Sequence, residues 1–254
     1  MAEGDIFVYA IVGFFAGLYF FYKGFGWLNR KRLIENTPTS KIRSIAMGLV
    51  EVYGEALPAF GKILKSPLSA KDCVYYKYKI EEYRRAGKHS TWVTVKEGAE
   101  GIPFFLRDET GAVLVDPNGC DADIPQDFQF QSGTNKDPPA SIRQFLAKND
   151  MSFEGFLGIN KTMKYAEYYI APKDKLFIMG NAGDNPYVEE ATGTENAADI
   201  MIQKGDKNKF YYISDRSEKK VLKDLGTKTF LGIYGGAALT VICLAVMLGY
   251  LGML

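Results

Sequence analysis

Thr229–Leu254 reads TFLGIYGGAALTVICLAVMLGYLGML, with no charged side chain anywhere in it. A helix needs about 20 apolar residues to cross the hydrocarbon core of a bilayer, with about 17 as the lower limit. This run is long enough. The other end of the chain carries a second one: Ile6–Tyr22, IFVYAIVGFFAGLYFFY, also uncharged. It is close to the limit, but Tyr22 and Trp27 are the residue types that favour a membrane interface. A cleaved signal peptide would want a basic leader and small residues at a cleavage point. Here the leader, MAEGD, is acidic, and KGFGWLNRKR follows the apolar run. The expectation is therefore an uncleaved span at 6–22 and another at 229–254.

Charge is segregated accordingly. All 31 Lys and Arg lie between Lys23 and Lys228, and the net charge is only +1. Such balance argues against nucleic acid as a partner. Lys23, Arg30, Lys31 and Arg32 follow the first span, and Arg216, Lys219, Lys220, Lys223 and Lys228 precede the second. The positive-inside rule then predicts a multi-pass integral membrane protein with its soluble domain in the cytoplasm and both short termini outside. Segment 23–43 reads as a basic juxtamembrane stretch in which Arg30, Lys31 and Arg32 can meet anionic headgroups. Gly13 with Gly17, and Gly232 with Gly236, repeat the small-xxx-small spacing that lets helices approach closely. They are candidate packing positions, either between the two spans or between chains in a homo-oligomer.

Between the spans, residues 44–226 read as strands and turns. CVYYKYKIEEYRR (73–85) alternates apolar and polar residues and should pair with Thr91–Val95 across a polar tip. Phe104–Arg107 and Ala112–Val115 flank Asp108–Gly111, a hairpin signal with Gly111 as the left-handed residue. A Pro-rich break near 132–140 suggests a sub-boundary, and Ser141–Lys148 a short helix with Ile142, Phe145 and Leu146 inward. Further strands are expected at 164–170, 176–179, 200–203 and 210–213. Asp215 with Glu218 reads as a capping box, and Gly226 as a C-cap or hinge before the second span. The fold class predicted is a membrane protein with two transmembrane α-helices flanking a mainly-β (α+β) domain of one or two small barrels or sandwiches.

Chemistry is hard to find. The one histidine, His89, sits in a hairpin tip among Arg84, Arg85 and Lys88, whose charges disfavour a protonated base. Cys73, Cys120 and Cys243 form no framework, since Cys243 is inside an apolar span. The acidic pairs Glu81–Glu82, Asp121–Asp123 and Glu189–Glu190 lack metal-loop spacing. No catalytic, cofactor or metal site is expected. The partners expected are the lipid bilayer and an unidentified protein; an enzyme with an unfamiliar site is the reading left over.

Several segments carry a resemblance: IAMGLVEVYGEAL (45–57), SPLSAKDCVYYKYKIEEY (66–83), PFFLRDETGAVLVDP (103–117) and FYYISDRSEKKVLKDL (210–225). With the two-span layout, they resemble the GIDE-type (MULAN-like) membrane-anchored E3 ubiquitin ligases. The resemblance implies a β-rich domain between two spans and a link to ubiquitin transfer. In that family a RING domain follows the second span, and a RING needs eight Cys or His ligands for two zinc ions. These residues offer three Cys and one His. The expectation is an interaction or scaffold domain without a catalytic site of its own, or a ligase-like component that works with a separate RING subunit.

Overall fold

The computed structural model describes residues 3–87, 89–155, 158–188, 199–206 and 209–252. The pair Glu189–Glu190 and the turn residues Lys207 and Asn208 lie outside the described residues. The chain divides into two compact units: Met1–Pro38 with Ser217–Leu254, and Thr39–Arg216.

Helix α1 (Glu3–Glu35) opens the first unit. The expected change from a span to a juxtamembrane segment at residue 23 is not visible in the backbone. No proline or β-branched run interrupts residues 22–35, and Leu, Lys and Arg are good helix formers. The helix ends where Thr37 Oγ1 donates to the Leu33 carbonyl at 2.9 Å, and Pro38 disfavours helical geometry in the residue before it.

The second unit contains, in chain order, β1 (Gly48–Pro58), β2 (Leu64–Lys65), β3 (Asp72–Cys73), β4 (Tyr75–Ala86), β5 (His89–Gly101), β6 (Phe104–Arg107), β7 (Ala112–Val115), β8 (Asp121–Asp123), β9 (Phe128–Gln131), α2 (Ala140–Lys148), β10 (Met163–Ile170), β11 (Lys175–Asp184), β12 (Ile200–Gln203) and β13 (Tyr212–Ser214). Five of these strands close a small barrel. β1 pairs with β11 from Gly48↔Ala182 to Glu55↔Lys175, and with β6 from Glu55↔Arg107 to Pro58↔Phe104. β6 pairs with β7, β7 with β12 in parallel, and β12 with β11. Closure pairs β1 with β11 over Gly48–Glu55 and with β6 over Glu55–Pro58, so the ring is continuous. β13 and then β8 extend the sheet from the other stretch of β11.

The barrel interior is filled by fully buried aliphatic and aromatic side chains, among them Val52, Phe104, Leu106, Val113, Ile178 and Ile202. Burying each removes apolar surface worth roughly 1.5–3 kcal/mol. Gly54 is required at the point where β1 passes from β11 to β6. A Cβ there would lie 2.5 Å from the Arg107 carbonyl oxygen.

A second sheet has the order β5-β4-β10-β9. Helix α2 covers it: Ile142 and Leu146 join Leu68, Ile80, Met163 and Tyr165 in a separate core. The Phe145 ring meets Tyr78 edge-on at 5.0 Å. No boundary near 132–140 divides the unit, because barrel strands come from both sides of that stretch (β1, β6 and β7 before it, β11 and β12 after it). The β6–β7 turn also differs from the expectation. Gly111 is not left-handed; the Asp108 carboxylate closes the turn by accepting from Thr110 N, Thr110 Oγ1 and Gly111 N.

The chain then returns to the first unit through α3 (Glu218–Phe230), a π turn (Leu231–Gly235) and α4 (Gly236–Tyr250). The capping box is not formed: Ser217 is the N-cap, without a side-chain cap bond. Gly226 does not end the helix but lies within it. Helical regions 5–35 and 218–250 are long and apolar enough to cross a membrane, and only 11% of each apolar stretch is buried, unlike a core helix.

Candidate functional site

The helical unit is built on a seam of small residues. A Cβ on Gly17 would lie 2.9 Å from the Gly236 carbonyl oxygen, and one on Gly236 would lie 2.8 Å from the Gly17 carbonyl oxygen. Further towards the basic ends, Gly24 and Gly232 meet: a Cβ on Gly232 would be 2.8 Å from Gly24 Cα. In the other direction Gly13 faces Cys243, whose Sγ would stand 2.6 Å from a Cβ. Stacking of Phe7 on Tyr250, with centroids 4.9 Å apart, continues the contact towards the free ends. The structure thus brings Gly13, Gly17, Gly232 and Gly236 to one line between α1 and the segment formed by the π turn and α4. Contact this close is available only where backbones face each other without side chains. The sequence spacing alone did not single out Gly24, which completes the seam as the partner of Gly232.

Arg30 and Arg32 are exposed on α1, while the half-buried Lys31 pairs with Glu35 at 3.1 Å. These residues share the last turns of the helix and give it a cationic end.

Among the described residues of the β unit the candidate groups do not converge. His89 is exposed at the start of β5. Glu81 is bound to Lys79 at 2.6 Å and Glu82 to Arg84 at 2.8 Å. Asp123 accepts from Tyr212 Oη at 2.7 Å. Burial pushes the Cys73 and Cys120 thiols up to about 12, so neither is a thiolate nucleophile at neutral pH. Among the described residues no group of three or more His, Cys, Asp or Glu could hold a metal.

One cleft, of about 300 Å³, lies where β1, β6 and β11 meet. Its floor is a cross-strand row in which Glu55 stands opposite Lys175 on one side and Arg107 on the other. Arg107 approaches Glu55 at 3.7 Å. Glu109 at the rim is paired with Lys41. Asp108 beside it is held below the usual carboxylate range. Burial raises it, but hydrogen bonds from Ile42, Thr110 and Gly111 outweigh that. The cleft can hold a small polar group by charge and hydrogen bonds, but its acids are already engaged.

Two buried carboxylates are not evident from the sequence. Glu51 is 1% exposed and accepts from Thr39 Oγ1 at 2.6 Å. Glu167 is fully buried; it accepts from Leu68 N at 2.7 Å, Ser69 N at 2.9 Å and Ser69 Oγ. It fixes loop 66–71 to the second sheet. The sequence signal for Glu167 is slight: a single acid among the apolar and aromatic residues of β10.

No curated protein and no solved structure matches the chain. A family model, GIDE, described as E3 ubiquitin ligase, matches residues 75–249. The match runs from the start of β4 through the second sheet and most of the barrel to the end of α4, which is more than two thirds of the sequence. The chain belongs to the GIDE family of E3 ubiquitin ligases.

Proposed function

We propose that the protein is a membrane-anchored interaction domain of the GIDE family, held in the bilayer by α1 and α3–α4 and presenting its β unit to protein partners in the cytoplasm. The observation that carries this reading is the glycine seam between two long, largely unburied apolar helices. Lipid can cover the exposed apolar faces, and the seam lets the two spans insert as one pair. The cationic ends around Arg30, Lys31 and Arg32 support a cytoplasmic position for the β unit and contact with anionic headgroups.

In this reading the domain recruits and positions partners and does not perform bond chemistry. The engaged acids, the protonated thiols and the dispersed candidates support it. The family match favours a second reading: the domain is the binding component of a ubiquitin ligase whose RING lies outside these residues. With three Cys and one His in 254 residues, the eight RING ligands would have to come from elsewhere.

The test is proximity labelling in cells, with the labelling enzyme inserted at Gly87, the exposed left-handed turn between β4 and β5. Labelled cytoplasmic proteins, together with a chain that survives alkaline extraction of the membranes, support the anchored platform. Enrichment of ubiquitin-conjugating or RING proteins among them selects the second reading. Labelling confined to the opposite compartment overturns the orientation, and release of the protein by carbonate overturns the membrane anchoring.

A further inference from the structure

Strand β5 is the terminal strand of the second sheet and pairs only with β4 among the described residues. The β4–β5 hairpin also outgrows its sheet. β10 pairs with β4 as far as Glu82, and Tyr83 N still donates to the Thr162 carbonyl at 2.8 Å, so Arg84–Ala86 and His89–Thr91 form a two-stranded arm beyond it, with Tyr83 and Trp92 at its base. A two-stranded ribbon is marginal in water, and a third strand is what usually stabilises it.

The edge of this arm lacks the usual protection. Natural edge strands carry charges or prolines that prevent pairing with other chains. Ser90–Val95 reads STWVTV, with neither, and is rich in the residues that favour strands. Only a bulge, at the shift between Ile80↔Lys96 and Glu81↔Thr94, interrupts it. Cross-strand neighbours Tyr83 and Trp92 hold their rings 5.1 Å apart and remain 47% and 38% exposed. That is a large aromatic surface to leave in water at the base of the arm, and Trp and Tyr are the residues that dominate binding energy at interfaces.

We propose that β5 pairs with β5 of a second copy of this chain, antiparallel about a two-fold axis at Trp92. Sequence complementarity selects a second copy over a foreign strand. In this register Trp92 faces its own counterpart, Thr91 faces Val93, and Ser90 faces Thr94. These are aromatic–aromatic, β-branched and hydroxyl pairs, the classes that stabilise adjacent strands. Within the paired residues Ser90–Thr94 no like charges oppose each other, and the bulge at Val95 ends the ladder before Lys96 and Glu97 enter it. The two-fold aligns Tyr83, Trp92 and their symmetry mates in one row of four rings across a continuous eight-stranded sheet. This inference goes beyond the interaction platform proposed above and does not depend on the orientation in the membrane.

The test uses the full chain purified in detergent. Mild oxidation of the double variant Thr91→Cys/Val93→Cys should give a covalent dimer that wild type, which carries only Cys73, Cys120 and Cys243, does not give under the same oxidation. Trp92→Lys places two cations at the axis and should weaken dimerisation at least about tenfold in light scattering across a concentration series, with an unchanged circular dichroism spectrum. A wild type that stays monomeric throughout the series overturns the proposal. So does a dimer that Trp92→Lys leaves intact, which would place the contact elsewhere, for example on the helices.

Discussion

Gly17 and Gly236 touch backbone to backbone, each positioned so that a side chain on one would strike the carbonyl oxygen of the other. Replacing Gly236 by Val should therefore force α1 and α4 apart. Overpacking of this kind costs about 1–3 kcal/mol. Gly235 one residue earlier has nothing within 4 Å of its added Cβ, so Gly235→Ala should be neutral or mildly stabilising. Thermal unfolding of both variants in the same detergent checks the contrast. Equal effects of the two would refute the seam.

Glu167 should be the most sensitive single carboxylate in the β unit. Glu167→Gln keeps the shape but points an NH2 group at donors from Leu68 and Ser69. Hydrogen bonds to a charged acceptor are worth about 1.5–3 kcal/mol. A loss of that order in denaturant stability is expected, accompanied by protease cleavage in loop 66–71.

Asp108 ties stability to acid pH. Its carboxyl is held below the ordinary value in the folded protein. Its contribution is therefore fully present above the unfolded pKa and is lost as pH falls through the folded one. As pH falls below the ordinary carboxylate range of about 4, wild type should lose melting temperature more steeply than Asp108→Asn. Parallel curves for the two proteins would remove Asp108 from the account.

The Cys73 and Cys120 thiols are raised to about 12 by burial. At pH 8 a thiol reagent should react with them roughly 1,000-fold more slowly than with a free cysteine, because so little thiolate is present. Their reaction should become fast only as the β unit unfolds, so the rate against denaturant should follow the circular dichroism transition.

Gly54→Ala should destabilise the barrel, since the added methyl group would meet the Arg107 backbone and not a side chain that can turn away. A loss of about 1–3 kcal/mol is expected. It should appear in the unfolding of the β unit and not in helix content.

The elements written in local periodicity were legible in the sequence. The apolar runs of α1 and α4, the alternation of Tyr76, Tyr78 and Ile80, and the amphipathic spacing of Ile142 and Leu146 each reflect one repeating environment. Features that depend on distant partners were not. The barrel closes because Met201 and Ile202 lie parallel to Leu114 and Val115, a pairing across more than 80 residues that no local pattern encodes. Gly111 looked like the left-handed residue of its turn, but the Asp108 side chain supplied the hydrogen bonds that made such a residue unnecessary. Nothing local in KYAEYYI marks Glu167 as interior; loop 66–71 folding over it makes that place an interior.

The helical unit is assembled from the two ends of the chain, with Thr39–Arg216 strung between them. While α1 and α4 remain paired, that intervening segment is a closed ring even when it is denatured. A cross-link around a loop of about 100 residues removes denatured-state entropy worth about 4–5 kcal/mol, and the paired helices act in the same sense. The β unit released from its helices by proteolysis should thus melt earlier than the same fold in the whole protein, although none of its own contacts has changed.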